Sequence, residues 1–570
     1  MIPRQEHPKP QFERKNWRNL NGIWDFEIDR GASGEARGVY LDSYALSEKI
    51  NVPFCPESKL SGIADTDFML AVWYKRKFNI SKEELSGRVF IHFCAVDYKA
   101  KVYINERLAG EHKGGYVSFS FDISEFLKEG ENSVAVYAED DTRSRHVPSG
   151  KQSHRYASRG CYYTRTTGIW QTVWLEFTPK TYVKRVKLTP DADSATLLCE
   201  AELCGADTLT LVASLDGKEV GKASVKSSGG TLALSVSLSE KALWEPLKPR
   251  LYELEIRYGE DLVKSYFGLR KIRIDGRRVL INEKPVFQRL ILDQGFYPDG
   301  IYTAPSDDEL RRDIECAIAL GFNGARAHQK VFEERYLYHA DKLGYLVWGE
   351  YASHGLDPSE LDSAYDMMPE WCEIIERDYN HPSIIGWAPF NETFAFGIKP
   401  NPLLIEHFYT VTKSLDKTRP VIDSSGGIRT RETDIEDTHN YELKLDRFAS
   451  LFEKIGTEED AYFEDTQNCL MPVSAKPFMV SEYGGIAYYL DGDSENSWGY
   501  GTVETEEEFL EKLKALTDIL LDNPYIMGYC YTQLTDVEQE KNGLYTYDRR
   551  LKFSAEKLRE IFGKKAAIEE

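Results

Sequence analysis

From about residue 276 onward the apolar pattern of this chain alternates between two periods, and this alternation constrains the fold more than any other feature. Short apolar runs of strand length lie at 287–292, 322–328, 345–350, 384–392, 420–424, 435–441, 478–482 and 525–534. Between them fall segments with apolar residues at helical spacing, at 332–343, 367–379, 403–415 and 506–521. Ser306-Asp307-Asp308-Glu309 has Ser at the N-cap and Glu three residues on, the pattern that opens a helix; Leu310, Ile314, Ala317 and Ile318 follow on one face. Eight strands alternating with helices predict a (β/α)8 barrel, with a long excursion between 441 and 476.

Two of the eight strands end in glutamate. Ile384 to Phe390 runs into Asn391-Glu392, and Phe478-Met479-Val480-Ser481 runs into Glu482. The carboxyl ends of parallel barrel strands open to solvent and carry the active site. Either glutamate alone reads equally well as an exposed loop residue. Together, at two strand ends, they are the paired carboxylates that glycoside hydrolysis requires.

The first 275 residues follow another rhythm. Gly22 to Asp29 alternates with period two, and strand-like runs recur at 71–78, 88–93, 100–104, 133–137 and 172–176. That spacing predicts a jelly-roll β-sandwich over 1–180. The Ser/Thr-rich block 181–275, with runs at 208–215 and 250–256, has the length of an immunoglobulin-like β-sandwich. The barrel takes 276–570.

Net charge is −22, which argues against nucleic acid and anionic membrane as partners, since phosphate binding needs a basic surface. Nine scattered cysteines without a C-x-x-C pair read as free thiols in a reducing compartment. The N-terminus carries no apolar signal run and no segment approaches membrane length, so a cytoplasmic location is expected. No ligand spacing points to a metal, and no cofactor is expected. Oligomeric state, including a homo-oligomer, is left open.

The chain resembles glycoside hydrolase family 2, the family of β-galactosidases, β-glucuronidases and β-mannosidases. Leu20 to Phe26, Val96-Asp97 to Asn105, Gly110 to Tyr116 and Gly168 to Leu175 resemble the strands of its sugar-binding domain. Asn323-Gly324-Ala325-Arg326-Ala327-His328 is similar to its Asn-x-x-Arg…His signature, Asn391-Glu392 to its acid/base motif, and Ser481-Glu482-Tyr483-Gly484 to its nucleophile motif.

The resemblance implies a retaining, two-step mechanism with Glu482 as nucleophile and Glu392 as acid/base. Asn391 would bond the sugar 2-hydroxyl, Arg326 would hold Glu482 ionised, and Tyr441 would orient it. His328 and His354 would meet sugar hydroxyls, and Trp498 would offer a platform. The shared negative field should raise the pKa of Glu392.

Departures fall around the sugar. Strand one reads Ile291-Leu292-Asp293-Gln294, Tyr162 stands where many relatives place an aspartate, and Tyr531 and Gln533 replace a Trp-rich motif. Glu540-Lys541-Asn542-Gly543 stands in place of the Asn-x-Lys that holds a uronate carboxylate. Asp293, Tyr162 and Tyr531 therefore join the substrate-site candidates. The expected activity is exo-hydrolysis of small β-glycosides or oligosaccharides, with β-galactosides first. The alternatives are β-glucuronides or β-galacturonides, α-L-arabinofuranosides, or a non-catalytic carbohydrate-binding protein.

Overall fold

The computed structural model describes residues 2–394, 397–453, 455–456, 462–464, 470–472, 475–490 and 497–570. The N-terminal part is a sandwich of two antiparallel sheets. Trp17–Asn19, Val173–Thr178, Arg88–Phe93 and Phe119–Asp122 form the smaller sheet. Six strands form the larger, with Ala71–Ile80 and Gly130–Glu139 paired at its centre over ten residues each. Trp24, Phe26, Tyr74, Val89, Ile91 and Val136 fill the space between them, as alternation along half-buried strands requires.

The second part is a seven-stranded sandwich of three strands on four, with its own core of Leu197, Leu211, Leu254, Ile256 and Phe267. Tyr252–Tyr258 alternates buried and outward residues along its length, the signature of a strand covered on one face.

The third part is the parallel barrel. Seven strands hydrogen-bond in the order Ile384–Ala388, Leu346–Glu350, Gly324–Ala327, Gln288–Asp293, Ile526–Thr532, Phe478–Gly484 and Glu436–Asn440. The expected run at 420–424 closes the ring by single bridges rather than a regular ladder. Trp387 N–H donates to Pro420 O, Ile422 N–H to Trp387 O and Asp434 N–H to Val421 O. Helices follow seven of the eight strands; between 425 and 436 the chain turns back without one. The helix Asp307–Ala319 begins where the capping pattern put it, with Ser306 Oγ accepting from Glu309 N–H.

Barrel and N-terminal sandwich share one core, in which Tyr116, Tyr163 and Trp170 from the sandwich pack with Phe296, Tyr302 and Tyr351 of the barrel. The eight cysteines among the described residues are unpaired. Among the described residues, no helix is long and apolar enough to cross a membrane.

Candidate active site

Glu392 and Glu482 meet at the carboxyl ends of the strands. The six-residue run into Glu482 is buried throughout, so its backbone is fixed and its carboxylate emerges at a set position. One oxygen of Glu392 and one of Glu482 lie within 4.8 Å of each other. Glu392 itself sits just past its strand with φ of 44°, left-handed backbone that a non-glycine residue adopts at a cost. Its N–H donates to Ser425 O, which tethers the turn.

Both oxygens of Glu482 are engaged. Oε1 accepts from Arg326 at 3.1 Å, and Oε2 accepts from the Tyr441 hydroxyl, which also meets Thr532 Oγ1 at 3.1 Å. Tyr441 is held in turn by stacking on Tyr500, ring centroids 3.3 Å apart and 3° from parallel. Trp498 packs edge-on against Tyr500 at 4.8 Å, so it reaches the site through that ring.

Arg326 is the hub beneath the pair. It also donates to Glu350 Oε2 at 2.6 Å, Asn391 Oδ1 at 3.0 Å and Ser481 O at 2.7 Å. The anions around it outweigh its burial and raise its pKa further. Glu350 is completely buried and also faces His328 Nδ1 at 3.1 Å. Burial pushes the Glu350 pKa up, but Arg326 and His328 hold it far below the carboxylate range. Burial lowers the His328 pKa. With Asn391 Oδ1 taken by Arg326, its amide nitrogen is left without a partner among the described residues, a donor facing the site.

His439 stands between the two glutamates. Its Nδ1 is 2.8 Å from Glu392 Oε1 and 3.3 Å from Glu482 Oε2. Burial disfavours the imidazolium, but the two carboxylates raise its pKa above the ordinary 6.5. This reverses the expectation for Glu392. Burial pushes its pKa up, yet the hydrogen bond and charge of His439, with the charge of Lys151, bring it well below the ordinary carboxylate range.

The sandwich domain supplies one wall of the cleft. Ser149 and Gly150 N–H groups both donate to His354 O, at 2.8 and 3.2 Å. Gly150 has φ of 55°, and a Cβ there would come 2.2 Å from Gln329 O, so only glycine allows this approach. Tyr162 OH lies 3.3 Å from His354 Nδ1. Burial, reinforced by the Lys151 charge, drops the His354 pKa to about 3. His354 Nε2 has no partner among the described residues. The cleft so formed has a volume of about 340 Å³ and is lined by Tyr162, His354, Asn391 and Glu392 among others, within the range of ligand sites.

Two candidates lie elsewhere. Asp293 turns outward from its strand toward Gly295 N–H and toward Tyr336 OH on the helix Glu334–Leu343. Burial and neighbouring Asp313 raise its pKa to about 7. Tyr531 alternates to the helix-facing side and packs on Tyr483 and Phe562, each 5.6 Å away.

The sequence reading passed over His439, Glu350, Lys151 and Tyr500. His439 lay in plain view beside Tyr441, in cross-strand register with Glu482. Glu392, His439 and Glu482 each turn one ligand-type atom to within 4.8 Å of the others. Arg326, Tyr441 and the internal His439 bond already engage these atoms, so the set is organised as a hydrogen-bonded carboxylate pair.

Comparison with known proteins agrees with this architecture. The model of the glycosyl hydrolases family 2 TIM barrel domain matches residues 272–565, that of the family's sugar binding domain residues 66–147, and a third family 2 model residues 181–270. The beta-galactosidase of Thermoanaerobacter pseudethanolicus is 26% identical over 450 residues, covering 74% of this chain. The chain spans about half of that relative's length, 55%. The beta-glucuronidase of Canis lupus familiaris is 24% identical over 633 residues, 99% of this chain and 92% of the relative. Among solved structures, a Ruminococcus gnavus beta-glucuronidase superposes with a TM-score of 0.79 at 19% identity, over 99% of this chain and 100% of that one. With a barrel-domain match over more than half its length, this chain belongs to glycosyl hydrolases family 2.

Proposed function

We propose that this chain is a retaining exo-glycosidase that removes terminal sugars from small β-glycosides, with β-glucuronides ahead of β-galactosides as substrates. The observation that carries the reading is the pairing of Glu392 and Glu482. Oxygens within 4.8 Å fit the close pairing of a retaining enzyme, about 5–5.5 Å between carboxyl groups, better than the roughly 6.5–9.5 Å of an inverting one.

Glu482 is the nucleophile. The Arg326 and Tyr441 donors keep it ionised and aim it. Glu392 is the proton donor, and its proton belongs to the Glu392–His439 pair. At rest the proton sits on the imidazole. As the leaving oxygen becomes basic, Nδ1–H of His439 passes its proton to Glu392, which hands it to that oxygen. Once Glu482 is esterified its charge is gone, and Glu392 accepts a proton from the incoming water. The free amide N–H of Asn391 is placed to meet a sugar hydroxyl as charge develops.

Glucuronides take precedence over the galactosides expected from sequence because relatives aligned over nearly the whole chain carry the glucuronidase name. A panel of 4-nitrophenyl glycosides covering glucuronide, galacturonide, galactoside, glucoside, mannoside and α-L-arabinofuranoside tests the sugar. Proton NMR of the first-formed sugar tests the stereochemistry. The substrate's own anomer should appear first; the opposite anomer would remove Glu482 as nucleophile, and silence across the panel would leave a carbohydrate-binding protein.

A further inference from the structure

We propose that Lys151, carried by the N-terminal sandwich, is the residue that holds the carboxylate of a uronic sugar in this site. The inference rests on the glycosidase reading above and names the determinant of its substrate class. The Asn-x-Lys expected for that task is missing from the barrel. In its place Glu540 accepts from the Tyr163 hydroxyl and from Asn542 Nδ2, and Asn542 Oδ1 accepts from Gln533. Gln294 Nε2 donates in turn to the Tyr163 hydroxyl, so the Glu540 carboxylate is engaged.

Lys151 comes from the neighbouring sandwich segment, where its charge also acts on Glu540. Its backbone is locked by Tyr163 N–H donating to its carbonyl and by the Gly150 clamp on His354 O. Its ammonium lies 5.6 Å from the centre of the Tyr162 ring, and Tyr162 faces the cleft. The residue is only 5% exposed, yet among the described residues its ammonium makes neither a hydrogen bond nor an ion pair. A buried ammonium with three unused donors is costly unless an anion is meant to meet it. The site's own carboxylates are not that anion in the geometry seen. Glu482 is bonded by Arg326 and Tyr441, one oxygen of Glu392 by His439, and Glu540 by Tyr163 and Asn542.

A second observation points the same way. The chain carries a net charge of −22, but the wall donated by the sandwich places Arg143, Arg145 and Arg155 along the cleft. Arg143 is paired with Asp141 and Arg145 with Asp357, whereas Arg155 makes no ion pair among the described residues. A basic approach on an acidic protein draws anionic ligands toward this cleft. The fields of Glu392 and Glu482 help keep Lys151 charged, so the cation is present at neutral pH.

The test compares 4-nitrophenyl β-D-glucuronide with 4-nitrophenyl β-D-glucoside, which share configuration and leaving group and differ only in the carboxylate. The wild type should favour the glucuronide. Lys151→Met should lower the glucuronide/glucoside ratio of kcat/KM between about 10- and 100-fold, the worth of one charged hydrogen bond. Lys151→Arg should retain more of that ratio than Lys151→Met. Lys151→Gln serves if the Met variant does not fold. An unchanged ratio, or a wild type that favours the glucoside, overturns the assignment while leaving the glycosidase reading intact. If the wild type cleaves neither sugar, the wider glycoside panel judges that reading separately. Calorimetric titration with D-glucuronate then decides: binding lost in Lys151→Met supports the carboxylate seat, and no binding to the wild type ends it.

Discussion

His439 donates from Nδ1 to Glu392 Oε1 across 2.8 Å while the same nitrogen stands 3.3 Å from Glu482 Oε2. One imidazole therefore serves both candidate catalytic carboxylates, and the proton needed for catalysis belongs to a pair rather than to a single side chain.

The first expectation follows from that sharing. The alkaline limb of kcat/KM should report loss of the proton from the Glu392–His439 pair, above the ordinary imidazole value of 6.5 because His439 is raised. In His439→Gln the proton must reside on Glu392, an acid whose ordinary value is 4.5. The alkaline limb should move to lower pH by about one unit or more. A uniform loss of rate with the limb in place would show that His439 only positions Glu392.

Separate removal of each glutamate should give distinguishable enzymes. Glu482→Ala should lose activity by several orders of magnitude and regain turnover with azide, yielding the inverted glycosyl azide. Glu392→Ala should be severe for alkyl glycosides and mild for the dinitrophenyl glycoside, whose leaving group departs unprotonated, with azide giving the retained product. Equal damage to both substrates, with glycosylation limiting, would place the acid elsewhere.

Glu392 also carries a conformational cost. Its φ of 44° and its position among negative charges favour catalysis over stability. Glu392→Gly should abolish acid catalysis and raise unfolding free energy by about 1 kcal/mol, because glycine accepts left-handed backbone freely. Thermal unfolding measures this; a lower midpoint for the variant would mean that the His439 bond outweighs the backbone term.

Asp293 offers a control from outside the cleft. Its folded pKa of about 7 lies above the ordinary 3.8. The folded state therefore holds a proton that the unfolded chain releases, and stability falls as pH rises from about 4 to about 7. Asp293→Asn should flatten that decline in melting temperature and leave kcat nearly unchanged. A large loss of kcat at equal stability would return Asp293 to the site.

The barrel was legible because its strands and helices bury apolar residues with different periods. Ile384–Ala388 and Glu506–Leu521 lie essentially where their patterns put them. Glu436–Asn440 was harder to read. It is five buried residues, Glu-Asp-Thr-His-Asn, whose burial is supported by side-chain bonds such as Ser425 Oγ and Ser481 Oγ to Asp437 and leaves no apolar signal. The same polar strand brings in His439, so the feature that hid the strand also hid the residue. Asp293 and Tyr531 were misplaced for another reason. Motif position identifies a strand end, but the side of the strand a residue faces is settled by alternation within the closed barrel. The expected run at 420–424 supplies only bridges because its neighbours meet it through side chains as much as through backbone: Thr433 Oγ1 accepts from Asp423 N–H, and Ser425 Oγ donates to Asp437.

The clamp of Ser149 and Gly150 on His354 O has an evolutionary reading. The candidate catalytic carboxylates sit on or just past barrel strands, where any shift would disturb several groups bonded to Arg326. The 142–162 segment belongs to a different module and meets the barrel through backbone bonds, one obligatory glycine and side-chain contacts such as Arg145 to Asp357, His146 to Asp366 and Tyr162 to His354. If Lys151 seats the sugar carboxylate as proposed, substitutions in that segment should alter sugar preference while the Arg326 network keeps its bonds. Diversity of substrate within such a lineage would then be written in the sandwich, and constancy of chemistry in the barrel.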